Sequence, residues 1–127
     1  MGPEWNTTQP IYVQVRDRIA AMILDGVLRE GDVLPSVRNV AAESRVNPLT
    51  VLKGYQQLVD EGLVEARRGL GMFVKDGAHA LLRRSERERF LHDVWPGVRT
   101  TIERLGLDAA DLLAPPARRR GARKDEG

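Results

Sequence analysis

The sequence predicts a mainly α-helical chain with a small β-hairpin, an N-terminal winged helix-turn-helix followed by a short helical dimerisation segment. Three observations carry that expectation. Ser36 and the pair Asn47 and Pro48 mark two successive helix starts, each just ahead of an apolar-periodic stretch. Gly69 and Gly71 separate two short β-prone runs, as the tip of a hairpin requires. After Lys75 apolar residues recur at helical spacing but are too few to enclose a large core of their own.

Taken in order, residues 1–9 read as a flexible polar arm whose one aromatic is Trp5. Tyr12, Val15, Ile19, Met22 and Ile23 then recur at intervals that lay them along one helical face, predicting a helix over residues 10–25 with Pro10 in its first turn and Gly26 at its end. Residues 26–35 carry two glycines and a proline and read as a loop. Ser36 caps a short second helix that buries Val37, Val40 and Ala41 and ends near Ser44. Asn47 caps a third helix over residues 48–60, where proline fills a position that needs no donor. Its inward face is Val51, Tyr55, Leu58 and Val59, which leaves Leu49, Thr50, Lys53 and Gln57 outward. Residues 63–67 and 72–75 pair as strands around residues 68–71.

Residues 10–76 therefore form the expected winged helix-turn-helix domain and residues 77–114 the dimerisation segment, with a disordered basic tail at 115–127. In the segment, Leu81, Leu82, Phe90, Leu91, Val94, Trp95, Val98, Ile102 and Leu105 are the candidate dimer-interface residues. Trp95, Pro96 and Gly97 are expected to break it into two helices, and Asp108 to cap a last short one. Apolar faces on short helices need a partner surface, and a second copy supplies one with two-fold symmetry.

With 127 residues the chain holds one ordinary core and an appendage, without room for a large separate sensor domain. The absence of cysteine excludes disulfides and thiolate metal sites, and His79 and His92 are too few for an all-histidine cage, so no metal and no cofactor is expected. No apolar run approaches the roughly 18 residues of a membrane span, and a cytoplasmic location is expected. The net charge of +2 is unevenly placed: residues 36–75 carry +2 and the tail +3, so the local excess is the better argument for nucleic acid.

The physical case for double-stranded DNA follows from the placements. The start of the third helix presents Asn47, Leu49, Thr50, Lys53 and Gln57 to a major groove, where methyl groups meet thymine and amide or ammonium donors meet base edges or phosphates. Ser36 is placed to hydrogen-bond a phosphate at the start of the support helix, and Arg38, one turn in, to reach the backbone or a guanine. In the hairpin, Arg67 and Arg68 follow the adjacent minor groove while Gly69 and Gly71 allow the backbone close. Tyr55 is chiefly a core residue whose hydroxyl is within reach of a phosphate, and His79 and His92 read as surface or interface residues.

Residues 10–74 resemble the DNA-binding domain of the GntR family of bacterial transcription regulators. The matching text is Pro10 to Val15, Gly31 to Arg38, Val46 to Val51, Lys53 with Tyr55, and Glu61 to Val64, together with Arg68, Gly69, Gly71, Phe73 and Val74. The short remainder is similar to the YtrA-like subfamily, in which only a small helical dimerisation segment follows the reader. The resemblance implies a homodimer that binds an inverted repeat as a repressor. The few residues after the reader leave little room for a private pocket, so any small-molecule effector is expected at the dimer interface. Three positions depart from the family pattern. Gly54 stands where alanine is usual and costs about 1 kcal/mol of helix propensity. Leu70 replaces a basic residue at the hairpin tip, and Met72 replaces a threonine.

The alternative is a winged helix used for protein assembly, which calls for an acidic or apolar recognition face that Thr50, Lys53 and Arg38 do not supply. An enzyme is not expected: no nucleophile and base pair assembles, and the glycine-rich hairpin lacks the strand-to-helix setting of a phosphate-binding loop.

Overall fold

The computed structural model describes residues 5–116. The expected basic tail lies outside the described residues from position 117 onward, as do the first four residues of the arm. The chain divides into two compact units between Ser85 and Glu86.

In the first unit, helix α1 spans Ile11–Leu24, α2 spans Val37–Ser44 and α3 spans Pro48–Asp60. Strands β1 (Val64–Arg67) and β2 (Gly71–Val74) pair antiparallel, with Val64 opposite Val74 and Arg67 opposite Gly71. The caps form as the sequence requires. Ser36 Oγ accepts from the Asn39 amide at 3.0 Å and Asn47 Oδ1 accepts from the Leu49 amide at 2.8 Å. Each satisfies a backbone donor that the first helical turn leaves open.

The core is built from Val15, Ile19 and Ile23 of α1, Val51, Tyr55 and Leu58 of α3, and Leu63, Val64 and Val74 of the hairpin. Helix α1 packs chiefly on α3. Residues 26–35 do more than connect: Val33 bridges Phe73, the Leu34 amide donates to Met72 O at 2.8 Å, and the Val74 amide donates to Asp32 O at 2.9 Å. This strip adds a third, short rung to the hairpin and fixes its angle against the helices, a non-local pairing with no local sequence signal.

Helix α4 spans Ala78–Arg89. Its first turns belong to this unit, because Ala78 and Leu82 are buried in the same core. Leu82, expected at a dimer interface, has no exposed surface at all and holds α4 to the winged helix instead. Helical spacing shows that Leu82 has an apolar face and is silent on what covers it. His79 also ties α4 down: its Nε2 lies 3.2 Å from the Leu24 carbonyl at the end of α1.

The arm is anchored where it is described. Trp5 packs against the core, its indole Nε1 donating to Ser44 O at 3.4 Å, and the Arg18 guanidinium lies 4.0 Å from the ring centre. The buried Gln14 side chain donates to the carbonyls of Asn6 and Gln9 and accepts from the Asn6 amide. A polar knot of this kind has no periodic signature.

In the second unit a π-helical turn, Phe90–Val94, leads into α5, Trp95–Leu105, and α6 spans Ala109–Leu113. The expected break at Trp95 to Gly97 is absent, since Arg89, Val94 and Trp95 all keep right-handed helical angles. Proline removes one amide donor and crowds the carbonyl four residues earlier. The wider π turn just before Pro96 takes up that conflict, and the chain stays helical through it. Gly106 closes α5 with φ 66°, and Asp108 Oδ1 caps α6 through the Ala110 amide at 2.9 Å.

Candidate DNA-binding surface

The site is the solvent face of α3 with the start of α2 on one side and the hairpin on the other. Burial of Val51, Gly54, Tyr55 and Leu58 turns the opposite stripe of α3 outward. Leu49 is 71% exposed, Lys53 is exposed, and Thr50 lies half-buried at the flank. Lys53 Nζ sits 4.2 Å from the centre of the Tyr12 ring, a cation–π contact that props the ammonium on α1 and leaves its donors open among the described residues.

Gln57 departs from the expected role. It is half-buried, and its Nε2 donates to Glu61 Oε2 at 2.8 Å, so the amide is engaged within the fold. The neighbouring Gln56 is fully on the exposed stripe with Leu49 and Lys53. The sequence alone does not separate Gln56 from Gln57, because adjacent helical positions differ by only about 100° and the hydrogen bond to Glu61 draws Gln57 inward.

Tyr55 also differs from its expected reach to a phosphate. Its hydroxyl donates to the Pro35 carbonyl at 2.7 Å, and burial pushes its pKa up to about 12. It is therefore a neutral donor that fixes the chain just before Ser36, which sets where α2 starts. The polar atoms that remain for a ligand follow from the caps. Ser36 Oγ uses a lone pair and Asn47 uses its carbonyl oxygen, leaving the serine proton and the asparagine amide hydrogens as donors. Arg38 is exposed and forms no ion pair among the described residues.

In the hairpin the two arginines have different settings. Arg67 lies 4.2 Å over the Phe73 ring and donates to Glu65 Oε2 at 2.9 Å and 3.1 Å. Arg68 is exposed with no such partner among the described residues. Gly69 has φ 76° and closes the turn, helped by the Leu70 amide donating to Arg67 O at 2.9 Å. Gly71 has φ 116°, and a Cβ there would meet Val33 Cγ2 at 3.3 Å, so its absence lets residues 31–34 lie against the hairpin. Leu70, at the tip, is exposed.

The exposed caps Ser36 and Asn47, the exposed Leu49 and Lys53 of α3, and the exposed Arg38 and Arg68 supply hydrogen-bond donors, methyl groups and positive charge, the chemistry that base edges and phosphates recognise. Residues 11–74 match the sequence pattern described as bacterial regulatory proteins, gntR family. The chain belongs to the GntR family. It is 32% identical over 113 residues to the HTH-type transcriptional regulator YhcF of Bacillus subtilis, covering 89% of this chain and 92% of that one. It is also 38% identical over 76 residues to the HTH-type transcriptional repressor YtrA of the same organism, which spans 60% of this chain and 58% of the repressor. Among solved structures, a transcriptional regulator from Oenococcus oeni superposes with a TM-score of 0.66 at 32% identity, over 78% of this chain and 82% of that one. YtrA from Sulfolobus acidocaldarius, a GntR-family transcription factor, superposes with a TM-score of 0.55 at 30% identity, over 81% and 97% of the respective chains. As a GntR-family protein with YtrA among its relatives, this chain is a DNA-binding transcriptional regulator.

The second unit presents a different kind of surface. Phe90, Leu91, Val94, Val98 and Leu105 are exposed, and no residue of the π turn, α5 or α6 is buried. Phe90 and Trp95 face one another with ring centres 6.5 Å apart. Ile102 is half-buried, and Leu107 and Leu112 join it along an open apolar groove. In the first unit Leu81 is exposed at the edge of the core, beside Gly62. Among the described residues no helix is long and apolar enough to cross a membrane.

Proposed function

We propose that this GntR-family regulator represses transcription by binding an inverted-repeat operator as a homodimer in the cytoplasm. The observation that carries the reading is the exposed stripe of α3, held at its start by the Asn47 cap, with Arg38 and Arg68 open on either side. In this reading Asn47, Leu49, Thr50 and Lys53 read base edges, joined by Gln56 in place of the engaged Gln57. Ser36, Arg38 and the hairpin residues Arg68, Gly69 and Gly71 contact the backbone or minor groove, while Arg67 stiffens the hairpin. The name of the Bacillus subtilis relative, a repressor, supports repression.

Dimerisation is supported by the second unit, where the π turn, α5 and α6 each expose large apolar side chains and none is buried among the described residues. Contiguous exposed apolar surface of this kind marks an interaction face. A second copy would cover Phe90, Leu91, Val94, Trp95, Val98, Ile102 and Leu105, and an isologous pair matches the symmetry of a palindromic site. Any effector would act at that interface by favouring one spacing of the two readers.

Light scattering on Leu91→Glu with Ile102→Glu tests the pairing. The wild type is expected at twice the chain mass and the double variant at the chain mass, with DNA binding lost alongside. An unchanged mass in the variant would place the interface elsewhere.

A further inference from the structure

Arg45 stands apart from every other residue with a left-handed backbone. Among the described residues, positive φ angles occur at seven glycines and at one residue with a side chain, Arg45, at φ 57° and ψ 47°. That conformation drives Cβ toward the following carbonyl oxygen, a cost that glycine escapes. The turn between α2 and α3 draws nothing from the arginine side chain. The Arg45 amide closes α2 by donating to Ala41 O, and the Val46 amide donates to the same oxygen at 3.1 Å. Ser44 is buried on one side and Val46 packs against the core on the other. Glycine would make the same backbone bonds without the strain.

The side chain is exposed and has no ion pair, hydrogen bond or ring contact among the described residues. It leaves the chain two positions before Asn47, whose cap begins the exposed stripe of α3. We propose that Arg45 is a DNA-backbone contact, its guanidinium paired with a phosphate at the lip of the groove that the start of α3 enters. A residue kept in a disfavoured conformation where a simpler one fits points to work done by its side chain. A phosphate suits that side chain better than a base: the turn precedes the helix that enters the groove, and the guanidinium fork matches a phosphate's paired oxygens. The inference rests on the contact face described under Proposed function.

The test compares Arg45→Gly and Arg45→Asn with the wild type, since both replacements tolerate the left-handed conformation and neither carries charge. Each is measured for melting temperature and for affinity to two probes: a duplex selected by the wild-type protein from a random-sequence pool, and a random-sequence duplex of equal length. Arg45→Gly is expected to melt a few degrees higher and to bind both probes about five- to tenfold more weakly. Its slope of log affinity against log salt is expected to be shallower by ~0.9 for each protein copy bound. Arg45→Asn is expected to lose the same affinity. Unchanged affinity in both variants overturns the inference, and so does a loss confined to the selected duplex, which would mean base reading. Lys53→Ala run alongside separates the two levels. If it weakens the selected duplex while the Arg45 variants do not, only the inference fails; if it too is silent, the contact face itself is wrong.

Discussion

Gly54 lies so close to α1 that a Cβ at this position would sit 2.8 Å from the Tyr12 carbonyl oxygen and 3.0 Å from Val15 Cγ1. The glycine that looked like a loss of helix propensity is the residue that lets α1 and α3 meet. The nearest atom is backbone, so it cannot swing aside as a side chain would. Gly54→Ala gains about 1 kcal/mol of propensity but forces the helices apart at a cost of about 1–3 kcal/mol. A net destabilisation in denaturant titration is expected, with a displaced Lys53 on Tyr12; a more stable variant would show that the crossing adjusts freely.

Tyr55 and Pro35 give a second, narrower test. Tyr55→Phe keeps the ring in the core and removes the donor to the Pro35 carbonyl. A loss of about 1 kcal/mol is expected, with weaker DNA binding because the start of α2 is no longer fixed. The alkaline behaviour follows from the raised pKa of about 12. The fold favours the neutral phenol, so this contribution is complete below the unfolded value of about 10 and falls away as pH rises through about 12. Absorbance titration of wild type against Tyr55→Phe should show one hydroxyl ionising late.

The buried Arg16 supplies the third. It is 6% exposed, and its guanidinium pairs with both carboxylate oxygens of Glu61 at the end of α3 and with Asp17 Oδ1 at 3.0 Å. Glu61→Ala removes the two-oxygen partner of a buried cation, which keeps its contact to Asp17, and also frees Gln57. A loss of about 2–3 kcal/mol is expected, measured by chemical denaturation. The paired replacement Arg16→Met with Glu61→Ala should recover part of it; equal losses in the single and double variants would show that the pair is not the source.

How far the sequence reveals these features depends on how local their causes are. The caps at Ser36 and Asn47, the proline at Pro48 and the glycines at the hairpin tip act within one turn of chain, and the three helices and two strands appear within about a residue of where those signals put them. Leu82, Trp5 and Arg16 take their roles from partners distant in sequence, and periodicity carries no information on partners. Gln56 and Gln57 were separable only through Glu61, four residues beyond Gln57. Pro96 misled because a proline reads as a break, whereas the π turn ahead of it keeps the helical path.

The two hairpin arginines should respond differently to replacement. Arg68→Ala is expected to leave the melting temperature unchanged and weaken binding to any duplex, with the salt slope shallower by ~0.9 per protein copy. Arg67→Ala removes the cover on Phe73 and should lower stability by about 0.5–1 kcal/mol. Identical melting and binding for the two variants would contradict the distinct settings seen in the structure.

The central claim is tested most directly by selecting duplexes from a random-sequence pool with the purified protein at near-physiological salt. The account predicts one enriched inverted repeat with a fixed half-site spacing, as two α3 helices held by a dimer require. Salt-sensitive retention with no enriched motif, or a single half-site bound by one chain, would contradict it.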